Sequence, residues 1–248
     1  MQQFARFTFY GNLNDFLSKK DRNHRITYSF KTLPAVKDAL EAMGIPHVEV
    51  HWLLVNGTSA RFNSRLHPGD EVEVYPQDTL PSQPGLPSLL DKSLAPRKFV
   101  LDAHLGALAR RLRLLGIDTD YSPTYTDRQL ALISCNENRI VLTRDIPLLK
   151  QKIIEWGYWL RSQQPEEQLL EVIRRYDLAP SFQPFTRCLA CNGTIHPVEK
   201  EAVVEHLPHD TQEYFNEFYQ CAACGKVYWK GSHYERMVQR IKNLNEKL

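Results

Sequence analysis

The chain has almost no excess charge: 31 Lys and Arg stand against 29 Asp and Glu, a net +2. That excludes the broad positive field by which many nucleic-acid binders announce themselves, so any site for RNA or DNA must be local. Long apolar runs are also missing. The first residues, MQQFARFTFYGNL, carry no charged segment leading into an apolar core, and no run of about 18 apolar residues offers a membrane span. The expectation is a soluble, cytoplasmic protein. Cysteine is scarce, with five in 248 residues. Four of them fall in two C-x-x-C pairs, which without an export signal argues for metal rather than disulfides. No internal repeat is present. What remains is a chain long enough for one large domain or two to three small ones, with 42% hydrophobic residues to build cores.

Residues 77 to 98, QDTLPSQPGLPSLLDKSLAPRK, are proline-rich with little apolar periodicity, and read as an extended linker. Before it, residues 2–9 and 24–30 alternate as strands. TLPAVKDALEAMG follows as a helix, with Thr32 as its candidate cap, Val36, Leu40 and Met43 on one face, and Gly44 as its stop. HWLLVNG and HPGDEVEVYP add two strands around an Asn-Gly turn. Strands, a helix, then strands is a β-grasp order.

After the linker, strands and helices alternate. KFVLDA reads as a buried strand; the next helix carries Leu105, Leu108, Leu112 and Leu115 as one stripe and ends at Gly116. DTDYS is a second strand, and Thr126 and Gln129 stand at capping-box spacing for a helix that buries Cys135 as a core thiol. RIVLTRD is the third strand, IPLLKQKIIEWG a helix, YWLRS the fourth strand, and PEEQLLEVIRRYDL a helix opened by Pro165. Such alternation implies a parallel, doubly wound α/β sheet. The layout expected is an α+β β-grasp module over 1–78, a Pro-rich linker over 79–97, a parallel-sheet α/β/α domain over 98–182, and a Cys-rich ribbon with a C-terminal helix over 183–248. Ser232 and Glu235 stand at capping-box spacing for that last helix.

In an open parallel sheet the ligand site lies beyond the carboxyl ends of the strands. Asp102 and Asp145 both fall there, and Asp127, in the first turn of a helix, joins them if its loop folds inward. Three converging carboxylates repel unless a cation lies between them, and hard oxygen donors suit Mg²⁺ or Mn²⁺. Each Asp alone has a plainer reading as a helix N-cap. Arg110, Arg113 and Arg144 beside these acids fit phosphate recognition; a solvated helix face is the alternative, and equally so for Arg111.

Cys188 and Cys191 form one knuckle, Cys221 and Cys224 the other, with 29 residues between the inner pair. Four thiolates close a tetrahedron around Zn²⁺ with no open position, so this metal is structural. Gly193 and Gly225 help the backbone turn at the sulfurs. The following VYWKGSHYERM mixes aromatics with cations, a composition that grips single strands by stacking and phosphate contact. Trp229, Lys230 and His233 are the candidate contacts. Packing is the rival reading, and the preferred one for Tyr228.

FVLDAHLGALARRLRLLGIDTDY, RIVLTRD and CNGTI with CAACGKVYWKGSHYERM together resemble the Mut-seven C-terminal RNase family, a branch of the PIN-like metal-dependent nucleases with its own zinc ribbon. The resemblance covers about residues 98 to 238. It implies a PIN-like fold, endoribonuclease activity on RNA, single-stranded or tRNA, and a divalent metal held by Asp102, Asp127 and Asp145. His104 departs from the family pattern, which carries Met there. AVKDALEAMGIPHVEVHWLLVNG and LHPGDEVEVYP resemble the ubiquitin-like β-grasp domain fused to this nuclease, a relative of sulfur carriers. Carriers need a terminal Gly-Gly, and here Val74-Tyr75-Pro76 runs straight into the linker. That leaves a module for docking a protein partner or positioning RNA. A non-catalytic RNA-binding adaptor using the basic helix and ribbon is the alternative for the whole chain.

Overall fold

The computed structural model describes residues 2–82, 85–90 and 95–248. The linker expected over 79–97 therefore includes 83–84 and 91–94, which lie outside the described residues. The chain divides into two compact units: Met1–Ala95 with Ser134–Asn136 and Ile140–Trp159, and Pro96–Ile133 with Glu137–Arg139 and Leu160–Leu248.

The first unit contains a β-grasp sheet. Its strands are β1 (Gln3–Phe9), β2 (Ile26–Phe30), β3 (Trp52–Val55), β4 (Thr58–Ser59) and β5 (Glu71–Tyr75), in the order β2-β1-β5-β3-β4. β1 and β5 run parallel at the centre, and the other pairs are antiparallel. Ala5, Phe7 and Phe9 alternate inward from β1 and meet Val36, Ala39 and Leu40 of α1 (Val36–Ala42) in one core. Asn56 and Gly57 both take positive φ, 52° and 75°, which is the turn geometry that suits the twist of a β3-β4 hairpin. The expected Thr32 cap is not used: α1 starts after Ala35, because the backbone at 34–35 is already pairing with Arg65 and Leu66. Part of the linker lies on this module, with Leu86 accepting a hydrogen bond from the Trp52 indole and Leu89 packing against the core.

The same unit holds a second strand pair, β8 (Ile140–Thr143) parallel to β9 (Gly157–Trp159), with the short α4 (Ile146–Leu149) between them. The helix expected over 146–157 stops after one turn. Its remaining residues are drawn elsewhere: the Ile154 carbonyl accepts from His47 Nε2 at 2.9 Å and the Trp156 carbonyl from the Val141 N–H at 3.0 Å. Glu49, fully buried, accepts the Trp159 N–H at 2.7 Å, and the Phe16 and Trp159 rings lie 5.1 Å apart. The β-grasp module and the β8–β9 segment thus share buried polar contacts.

In the second unit β6 (Lys98–Leu101) runs parallel to β7 (Asp118–Tyr121). α2 (Gly106–Leu114) buries Leu108 and Leu112 beside Leu105 and Leu115, the expected stripe, and Gly116 takes φ +81° at its end. α3 (Asp127–Glu137) opens on the expected capping box: Gln129 Oε1 accepts the Thr126 N–H at 2.9 Å and Thr126 Oγ1 accepts the Gln129 N–H at 3.4 Å. Cys135 is exposed, not a core thiol, because the inward residues of this helix are Leu130, Ala131 and Ser134. α5 (Pro165–Tyr176) starts at proline, and Glu166 near its start pairs with Arg111 of α2 at 2.8 Å.

The ribbon is a three-stranded sheet in the order β10-β11-β12, from β10 (Ile195–Val198), β11 (Phe218–Cys221) and β12 (Val227–Trp229). α6 (His209–Tyr214) precedes β11, and α7 (Ser232–Asn245) closes the chain. Gly231, not Ser232, is the cap of α7. A Cβ at 231 would press on the Trp229 indole at 3.0 Å, so glycine suits this position, and its carbonyl takes the Glu235 N–H at 3.2 Å as the first turn of the helix. Among the described residues, no helix is long and apolar enough to cross a membrane.

Candidate metal centre and strand-end acids

The two knuckles form the clearest site. Each is a tight turn in which the residue after the second cysteine adopts a left-handed conformation, Asn192 at φ 69° and Gly225 at φ 71°. The Asn192 N–H returns to the Cys188 carbonyl at 2.9 Å and the Gly225 N–H to the Cys221 carbonyl at 3.0 Å. Gly193 has no room for a side chain, since a Cβ would lie 2.8 Å from the Cys221 sulfur. The sulfurs of Cys188, Cys191, Cys221 and Cys224 all lie within 4.8 Å of one another, with Cys191 to Cys221 at 3.4 Å and Cys188 to Cys224 at 3.6 Å. A tetrahedron with Zn–S bonds of about 2.3 Å has edges of about 3.8 Å, so these four thiols can hold zinc. Among the described residues they are the one group of three or more ligating side chains so gathered.

A ring of polar groups supports the knuckles, a role the sequence did not reveal for any of them. The Tyr228 oxygen accepts the Leu189 N–H at 3.1 Å, which leaves its O–H for the Cys188 sulfur at 3.0 Å. Burial pushes the Cys188 thiol up, but the Tyr228 hydroxyl and the N–H groups of Cys191 and Ala190 override it and hold the thiol down at about 6. Arg113, expected at a phosphate, has another task. It is 2% exposed, donating Nε to the Thr119 carbonyl at 2.9 Å and Nη1 to the carbonyls of Leu189 and Ala190 at 3.2 and 2.8 Å. A guanidinium so buried ties α2 and β7 to the first knuckle; it has no open face to offer RNA. Asp118 makes the parallel link, accepting from Arg139 at 2.6 Å and Asn192 at 2.8 Å with Arg187 at 3.3 Å. Burial works against its charge, yet the Arg139 and Asn192 hydrogen bonds hold its carboxyl below the usual range.

The acids are placed one at a time. Asp102 follows β6 and occupies the N-cap position of a single 3-10 turn, Ala103–Leu105, but its carboxylate makes no capping bond. The turn is fixed instead by the Tyr121 hydroxyl on the Ala103 carbonyl at 2.9 Å, and Gly106 leaves room for that ring. His104 in the same turn is exposed. In the other unit, Asp145 stands at the N-cap of α4, again without a side-chain cap; its N–H is taken by Thr143 Oγ1 at 2.8 Å. Arg144 is half-buried and its carbonyl accepts the Trp159 indole N–H at 3.1 Å. Asp127 is exposed at the first residue of α3, and Arg110 is exposed on α2. Trp229 packs beside Val203, Leu207 and Phe218, Lys230 is exposed and paired with Glu217, and His233 is exposed on the first turn of α7.

A family model described as the Mut7-C RNAse domain matches residues 97–241, and one described as Mut7-C ubiquitin matches residues 2–80. The first spans more than half the chain. The protein belongs to the Mut7-C RNAse family. Its nuclease-like domain thus carries the ribbon with its four gathered thiols, and the Mut7-C ubiquitin-like module precedes it. No curated protein matches the chain. A solved structure, the small archaeal modifier protein 1 of H. volcanii, is similar at 18% identity over 30% of this chain and 97% of its own, with a TM-score of 0.25.

Proposed function

We propose that this Mut7-C chain is a metal-dependent ribonuclease that hydrolyses RNA phosphodiester bonds internally, with single-stranded RNA or tRNA as substrate. Asp102, Asp127 and Asp145 hold Mg²⁺ or Mn²⁺ in this reading. The observation that carries it is the match of the Mut7-C RNAse domain to residues 97–241, within which Asp102 directly follows β6, Asp127 opens α3 and Asp145 stands just past β8. Carboxylate oxygens are the donors such hard ions prefer. Held by these three carboxylates, such an ion would supply an activated water and charge neutralisation at the phosphodiester. Arg110 and Arg144 contact phosphates, and the β-grasp module of 1–78 positions RNA or a protein partner for the 98–182 domain, while zinc in the 183–248 ribbon is structural.

The test is cleavage of end-labelled single-stranded RNA and tRNA in Mn²⁺ or Mg²⁺ by the wild type and by Asp145→Asn. Removing one ligand from a site that stabilises charge in flight costs several kcal/mol, so the variant falls by about 1000-fold or more with unchanged thermal unfolding. Equal rates would sink the mechanism.

A second reading, a non-catalytic RNA-binding adaptor, is favoured by one observation: the thiols, not the carboxylates, are the gathered ligands among the described residues. RNA binding that persists in EDTA with zinc retained, together with no cleavage in Mn²⁺, would select it.

A further inference from the structure

A cavity of about 440 Å³ opens in the second unit between the ribbon sheet, α7 and the segment 184–189. That is within the range of small-ligand sites, and its lining of aromatic side chains with a few polar groups matches their chemistry. Three of its walls come from separate elements. Tyr219 of β11 stands in one cross-strand row with Pro197 and Tyr228, and therefore on the sheet face opposite Phe218 and Trp229. Tyr234 and Met237 come from α7, and Phe185 from the segment between α5 and the first knuckle.

Phe185 is the unusual member. It takes φ +64°, where a bulky side chain is rarely found and persists only when its surroundings over-determine it. Here they do: the Phe185 N–H donates to the Leu114 carbonyl at 3.1 Å and the Gln183 N–H to the Leu115 carbonyl at 2.9 Å. The segment lies so close to α2 that a Cβ on Gly116 would be 2.1 Å from the Gln183 carbonyl oxygen. The strained backbone presents the Phe185 ring 4.6 Å from that of Tyr234, tilted by 40°. At the cavity's edge, Lys230 lies 6.0 Å from the Tyr219 ring centroid and Glu217 holds it there; Arg187, paired with Asp118, is also among the lining residues. Positive charge is concentrated in the chain segment that supplies two of these walls. Between 226 and 242 the chain carries Lys226, Lys230, Arg236, Arg240 and Lys242 against Glu235 alone, in a protein whose net charge is only +2.

Rigid aromatic faces inside a cavity, with cations outside it, complement one chemistry: a flat unpaired base attached to a phosphate backbone. We propose that this cavity receives one nucleobase of a single-stranded RNA, stacked between Tyr219 and the Phe185–Tyr234 pair, with the α7 cations along the flanking phosphates. The proposal rests on RNA being the substrate. It gives the stacking role to Tyr219 and Tyr234 rather than to Trp229, which also borders the cavity but packs against Val203, Leu207 and Phe218.

The test measures binding of the full chain, without added Mg²⁺ or Mn²⁺, to a fluorescein-labelled eight-nucleotide oligouridylate and to its abasic counterpart. The wild type is expected to bind the intact RNA more tightly. Tyr219→Ala weakens that complex by about 5- to 100-fold, the usual loss for one stacked base, while affinity for abasic RNA is unmoved and Tyr219→Phe retains wild-type binding. Tyr234→Ala, on a helix rather than in the sheet, serves as the second variant, and zinc content reports that each ribbon is folded. Equal affinity of the wild type for intact and abasic RNA overturns the proposal, as does unchanged RNA binding by both alanine variants, the result expected if the cavity instead takes a protein side chain. The two readings separate cleanly. A wild type that cleaves RNA while the alanine variants bind normally removes the pocket and leaves the ribonuclease; base-dependent binding without cleavage in Mn²⁺ does the reverse.

Discussion

Four gathered thiols that can hold zinc and three acids proposed to hold Mg²⁺ or Mn²⁺ lie in this chain, and they are built on different length scales. Cys188 and Cys191 belong to one turn, Cys221 and Cys224 to another, and a β-sheet register of Ile195 on Cys221 aligns the two turns. Each knuckle needs only a left-handed residue and a returning N–H. Asp102, Asp127 and Asp145 instead stand at the starts of three separate helical turns, Asp102 and Asp127 in one compact unit and Asp145 in the other. A site made of knuckles is specified by spacing; a site drawn from such separate elements depends on everything that orients them. The supports differ accordingly. Around the thiols stand Tyr228, Arg113 and Asp118 with its partners, whereas the Asp145 segment is braced through Trp159 and Ile154 by Glu49 and His47 of the β-grasp module.

That contrast breaks most visibly if the thiols are removed. Cys221→Ser should abolish stoichiometric zinc, read by atomic absorption, and unfold the ribbon, because structural zinc contributes about 10 kcal/mol or more. Asp145→Asn should keep its zinc, so the two sets are separable. Next in size is the brace on the acid side. Glu49→Ala leaves the Trp159 N–H buried without its acceptor and should cost about 2–3 kcal/mol, read by urea unfolding. Arg113→Met strips buried carbonyls of their donor and should cost a similar amount while lowering zinc affinity. Tyr228→Phe should weaken zinc binding by about 10- to 100-fold, the usual effect of removing a hydrogen bond to a ligand, with little change in fold. The smallest effect belongs to Asp118. Its folded carboxyl lies below the usual value near 3.8, so the unfolded chain takes up the proton first; the stabilisation is full above that value and is lost as pH falls through the folded one. Asp118→Asn should lose about 1–2 kcal/mol at neutral pH and show a flatter acid limb below pH about 4.

Much of this was legible locally. The Leu105–Leu115 stripe, the Thr126–Gln129 capping box and the Asn56-Gly57 turn all form as expected, because each is decided by neighbours within a few residues. The failures share a cause as well. Thr32 lost its cap to pairing at 34–35, and the helix after Asp145 lost its second half to His47 and Val141. In both cases a partner remote in sequence outbid a local preference. Arg113 shows the same limit for function. As a residue type beside two other arginines it fits a phosphate, and nothing in its neighbours reveals that the carbonyls of 189 and 190 enclose it.

The sequence by itself determined most kinds of elements and the four thiols that can hold zinc, since spacing and periodicity act over one or two turns of chain, and its motifs carried the resemblance to the family. Only the tertiary structure decided which cations are buried and which rings face a cavity. Those outcomes depend on contacts such as Phe185 with Tyr234, 49 residues apart by number, and Glu49 with Trp159, 110 apart. Burial and hydrogen-bond satisfaction are settled by what the fold brings near, and a side chain's chemistry does not state who its neighbours will be.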